Sequence, residues 1–210
     1  MKLEHLSLPS HTEFGMGAFI GRFSSAVVTA AIPDYPLMVV AEIPNYHYVG
    51  DGEIELAGMT TVEWGELVVR TFKEIAGKDA RCSAWVDPDT EFATELRRCK
   101  LIVKKNLKRG PELRTEVLRE YFMDNHVMLM PWLTVLPYEL GRARWPDEAA
   151  SASQERATGQ DYTLSSLEQV ASRRPKSTEL ATQKATTALE QIRIARTVKA
   201  RSFDPHLGNQ

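Results

Sequence analysis

SAWVDPDTEF, residues 83–92, is the stretch on which the reading of the chain turns. A short apolar run, Trp85-Val86, stops abruptly at Asp87-Pro88-Asp89. Proline drives the residue before it out of the helical region and cannot continue a central strand. The run is therefore predicted to be a strand, 81–86, that presents two carboxylates where it ends. Such a tip is either a metal-ligand position or a turn. Asp89 reads equally as the start of the helix predicted over EFATELRR, 91–98.

Outward from that point the pattern alternates. Upstream, SSAVVTAAI (24–32) and PLMVVAEI (36–43) are β-rich runs separated by PDYP, which predicts a hairpin. GDGEIELAGM reads as a polar loop or a short edge strand. Thr60 and Glu63 form a capping box ahead of Val62, Leu67, Val68, Phe72 and Ile75, one face of a helix. Downstream, KLIVKKN (100–106) is a strand. Pro111 suits the first turn of a helix over 112–124, with Leu113, Val117, Leu118, Tyr121 and Phe122 as its apolar face. HVMLM (126–130) is a strand, and 133–143 a helix despite Pro137. Hairpin strands first and alternation afterwards predict an α/β domain with a mixed sheet.

Bulk properties narrow the class. A chain of 210 residues can bury a sizeable core, and a formal charge of −2 with pI near 6.2 excludes a globally basic nucleic-acid coat. Cys82 and Cys99 are too few for a disulfide scaffold and lack zinc-site spacing. The five histidines have no metal-ligand spacing either. No apolar run is long enough for a membrane span, and a soluble, cytoplasmic protein with no membrane partner is expected. Composition shifts near Trp145: of 146–210 only Tyr162 and Phe203 are aromatic, and Ala, Ser, Thr and Gln abound. The expected domains are 1–145, extending to about 170 if the helix after Asp161 belongs to it, and a polar tail, 171–210. Within that tail Ala181, Ala185, Ala188, Ile192 and Ala195 mark a candidate helix.

WVDPDTEFATELRR, then LIVKKNLKRGPELRTEVLREYF, then VMLMPWLTVLPYELGRARW resembles the C-terminal nuclease domain of phage large terminase subunits, a ribonuclease H-like fold. The shared pieces are the Asp-Pro strand end, a basic segment, a helix, a strand, and Leu136-Pro137-Tyr138-Glu139-Leu140 before Trp145. They cover roughly 14–170. The resemblance implies a ribonuclease H-like mixed sheet flanked by helices. It implies hydrolysis of duplex DNA during genome packaging by two Mg²⁺ or Mn²⁺ ions, held by carboxylates from separate elements because hard cations take oxygen ligands.

Residue by residue, Asp87 matches the acid after the central strand. Asp161, in QDYTLSSLEQV, matches the first acid of the final helix, where Ser165 replaces the second; an N-cap is the alternative for Asp161. The first-strand acid falls on Phe19 in GAFIG, so the bridging ligand of a metal pair is missing or supplied by another acid. Glu42 and Glu13 are the nearest candidates, each equally readable as a surface acid. Without a substitute, the same fold implies an inactive DNA-binding or assembly module. Arg97, Arg98, Lys100, Lys104, Lys105, Lys108 and Arg109 form a local positive segment, 97–110, that would hold phosphate, or would simply guard a sheet edge. No phosphate-binding G-x-x-x-x-G-K-[ST] loop is present, so the expected partners are duplex DNA and a separate packaging ATPase or other terminase or portal component.

Overall fold

The central strand of the sheet is the least strand-like stretch of the sequence. EFGMGAF, Glu13–Phe19 (β1), has two glycines and no β-branched residue, yet it pairs on both sides. It runs antiparallel to β2 (Ser25–Ala31) and parallel to β6 (Cys82–Val86). Tertiary pairing has overridden weak local propensity. The computed structural model describes residue 8 and residues 12–32, 35–50, 52–77, 80, 82–86, 90–105, 111–143 and 161–173; at 105 and 111–113 only the backbone is described. The chain divides into two units, 1–174 and 175–210, and every described residue belongs to the first. The tail and its candidate helix lie outside the described residues.

The remaining elements follow the predicted alternation. β3 (Leu37–Pro44) completes an antiparallel meander with β2, bulged where Val28 and Thr29 face Ala41 and Val39. β4 (Tyr46–Val49) and β5 (Glu53–Leu56) form a separate two-stranded ribbon, so the polar loop or edge strand expected here is half of a hairpin. Then come α1 (Thr61–Ala76), β6, α2 (Glu91–Arg98), β7 (Ile102–Lys105), α3 (Pro111–Met123), β8 (Val127–Leu129), α4 (Val135–Arg142) and α5 (Tyr162–Ala171). The sheet order is β7-β6-β1-β2-β3-β8, antiparallel in its middle and parallel at both flanks. This is a mixed α/β sheet flanked by five helices, as the sequence predicts. Among the described residues no helix is long and apolar enough to cross a membrane.

Helices cover both faces of the sheet. Phe14, Met16 and Ala18 alternate along β1 toward a core shared with Trp64, Val68 and Phe72 of α1 and Phe92 and Leu96 of α2. Burying each of these large side chains contributes roughly 1.5–3 kcal/mol. The capping box that starts α1 is formed as expected, with Thr60 and Glu63 bonded reciprocally. Gly15, Gly17 and Phe19 alternate toward the other face, where α5 crosses the strand. A Cβ at Gly17 would overlap the Ser166 carbonyl oxygen and stand only 2.7 Å from Val170 Cγ2. Only glycine lets the helix backbone lie this close to the strand.

Candidate functional site

The carboxyl ends of β1 and β6 lie side by side. Gly17 pairs with Trp85, so Phe19 stands just beyond the last described residue of β6, Val86. Asp87 and Asp89 lie outside the described residues. On the other side Phe19 pairs with Ser25. A hydrogen bond and a ring pair hold the start of α5 over this strand end. The Phe19 N–H donates to Ser166 Oγ at 3.0 Å, and the Phe19 ring lies 5.5 Å from that of Tyr162. Ser166 in turn bonds the Ser25 carbonyl at 2.9 Å. Phe23, in the loop after β1, adds a third ring 5.4 Å from Tyr162. Thus the strand end is brought to the helix start, and what meets there is aromatic rings and hydroxyls.

Two acids near this site, Glu42 and Glu139, are engaged with helix N-termini. Glu42, near the end of β3, accepts from the backbone N–H groups of Thr134, Val135 and Leu136, the last two at 2.8 and 2.7 Å. It is a cap for α4 supplied from another element, since Thr134 makes no side-chain cap bond of its own. Glu42 pairs with Val27, two strands from β1. Glu13 stands at the opposite end of β1 from Phe19, about 20 Å away at the rise of a strand. Asp161 is the N-cap residue of α5 but makes no side-chain bond to the helix N–H groups. Glu139, on α4, does that work: its Oε2 accepts from Leu164 N at 2.7 Å.

Glu139 also joins the ribbon to the helices. Its Oε1 accepts from the hydroxyls of Tyr46 at 2.5 Å and Tyr48 at 3.0 Å. Tyr46 reaches Thr163 Oγ1 at 2.8 Å, and Thr163 reaches Ser25 Oγ at 2.7 Å. The carboxyl is 2% exposed, and burial pushes it up to about 7 despite the donors that favour its charged form. Burial, with the neighbouring Glu139 carboxylate, also raises both tyrosine hydroxyls, which stay protonated as donors.

The basic segment is only partly free for phosphate. Arg98 forms a fork with Glu95, Nε to Oε2 at 2.9 Å and Nη2 to Oε1 at 2.6 Å, and reaches Glu66 at 3.2 Å. Its guanidinium holds the Glu95 carboxyl below the usual range. The window 97–110 holds no acid, but Glu95 stands three residues before Arg98 on the same helix and the fold adds Glu66 from α1. Arg97, Lys100 and Lys104 are exposed. Lys104 stands on β7, the edge strand, with its ammonium 5.7 Å from the Trp85 ring. The Lys105 side chain, Lys108 and Arg109 are outside the described residues.

The large terminase nuclease of the thermophilic phage G20c matches with a TM-score of 0.55 at 16% identity, covering 80% of this chain and 85% of that one. The large terminase of a second thermophilic bacteriophage matches at 0.59 and 12% identity, over 79% of this chain and 40% of that one. The fold is that of the terminase nucleases. The G20c nuclease is also known with bound cobalt, zinc and magnesium. No family model and no curated protein matches the sequence.

Near the end of β1 the described acids are Asp161, Glu42 and Glu139, and Asp87 lies outside the described residues. Two hard ions need several carboxylate oxygens converging on one point. Around the end of β1 stand Phe19, Tyr162, Ser25 and Ser166, while Glu42 and Glu139 are turned to helix N–H groups. Among the described residues no group of three or more His, Cys, Asp or Glu is placed to hold a metal. Two features escaped the sequence reading. The Ser25-Thr163-Tyr46-Glu139 network spans four elements and has no linear signature beyond Glu139 in its motif. The meeting of Phe19 and Phe23 with Tyr162 was half visible, as two aromatics flanking Arg22 in FIGRF.

Proposed function

We propose that this protein is a packaging module of the terminase-nuclease type that holds duplex viral DNA without cutting it, alongside a separate ATPase or portal component that supplies the motor. The reading rests on the Phe19 ring, packed on Tyr162 at the end of β1, where the resemblance to terminase nucleases leads one to expect the first metal-bridging acid. The fold likeness supports a role on packaging DNA. The exposed Arg97, Lys100 and Lys104 support binding to the phosphate backbone that is independent of sequence. The competing reading is two-metal hydrolysis, with Mg²⁺ or Mn²⁺ held by Asp87, Asp161 and Glu42.

Nicking of supercoiled plasmid in Mn²⁺, comparing the wild type with Asp87→Ala, separates the two. The expected result is no cleavage by either protein, together with retardation of duplex DNA that weakens as salt rises. Cleavage by the wild type that disappears in Asp87→Ala would overturn the proposal and make Asp87 a metal ligand.

A further inference from the structure

The rings at the carboxyl end of β1 are built differently from a core. Tyr162 contacts both Phe19 and Phe23, at interplanar angles of 34° and 37°, and all three rings are half-buried. Tyr46, fully buried, supports them with its edge, 5.6 Å from Tyr162 and 6.2 Å from Phe23. Arg22 is exposed, with its guanidinium 5.3 Å from the Phe23 centroid. Among the described residues no carboxylate pairs with Arg22. Aromatic faces beside an uncompensated cation are the elements of a stacking platform for nucleobases, whose phosphates the cation neutralises. The carboxyl ends of parallel strands are also where open α/β sheets place their ligands.

We propose that Phe19, Phe23 and Tyr162, with Arg22, bind an unpaired base of a DNA single strand or frayed end. The proposal rests on the DNA-holding reading above and adds the ligand class taken at the strand end. A base in the interior of a duplex has both faces covered by its neighbours, so the platform selects strand ends and gaps. Every base has a π-face, so it does so with little sequence preference.

The test uses the full chain and a short oligothymidylate carrying one 2-aminopurine, free or annealed within a blunt duplex. The wild type is expected to quench the probe in the single strand and not in the duplex. Phe23→Leu, which keeps bulk and loses the ring, is expected to bind the single strand about tenfold more weakly with duplex affinity unchanged. No quenching by the wild type, or wild-type affinity in Phe23→Leu, would overturn the proposal. Should Phe23→Leu lower the melting temperature, Arg22→Gln at its exposed position decides: unchanged single-strand affinity overturns the platform, and selective loss supports it. Plasmid nicking by the wild type would sink the non-cleaving reading while leaving the quenching result standing, so the two failures are distinct.

Discussion

Glu139 makes stability depend on pH in an unusual direction. Its carboxyl titrates near 7 in the folded protein and near 4.5 as an ordinary glutamate, so the folded state binds the extra proton between those values. Its contribution is fully present below about pH 4.5 and is lost as pH rises through about 7. At 1.36 kcal/mol per unit the difference is ~3 kcal/mol. Denaturant midpoints measured across this range should fall with rising pH in the wild type relative to Glu139→Gln, whose side chain cannot titrate. A wild type no more pH-sensitive than the variant would mean that the tyrosine and backbone donors outweigh burial. At the same scale, Gly17→Ala should cost about 1–3 kcal/mol or more, because its new methyl overlaps the backbone of α5. A melting temperature within a degree or so of wild type would show that α5 can retreat from β1.

Two helix starts in this fold are completed from a distance. Glu42 on β3 caps α4, and Glu139 on α4 caps α5, so each element fixes the start of the next. Glu42→Ala should therefore destabilise the protein by about 2 kcal/mol, through loss of charge-assisted bonds to N–H groups. It should leave duplex affinity unchanged, a split that a metal-ligand role for Glu42 would not produce. These remote caps explain what was legible in the sequence and what was not. Where the information is local it reads directly: the Thr60–Glu63 box, the apolar runs of β2 and β3, and the 91–98 helix all lie where periodicity puts them. β1 does not, since Gly17 answers to the close approach of a helix nearly 150 residues away. Tyr46 to Val49 was missed for a related reason, because its tyrosine hydroxyls answer to Glu139, about ninety residues away in sequence. The end of β1 was found only through resemblance, and its aromatic partners only through the fold.

For the molecule as a whole, the balance between an acidic chain and a basic edge predicts how DNA would be held under the proposed function. Replacing Arg97, Lys100 and Lys104 together by Gln should weaken duplex binding evenly across sequences. It should also reduce the slope of log affinity against log salt by up to about 0.9 for each phosphate that is no longer neutralised. Arg98→Gln should do neither, because that guanidinium already answers Glu95 and Glu66. Equal weakening by both variants in a salt-dependent gel shift would show that the arginine pairs open on DNA.

The crossing of α5 over β1 also sets an order of events during synthesis. Phe19 and Ser166, joined by one hydrogen bond, are 147 residues apart. At ~5–20 residues per second a ribosome delivers the strand roughly seven seconds or more before its cover. Until then β1 lacks the helix that covers its face at Gly17. A chain released before residue 161 would keep that face open. It is expected to bind a hydrophobic dye and to aggregate, whereas the chain that includes α5 does not.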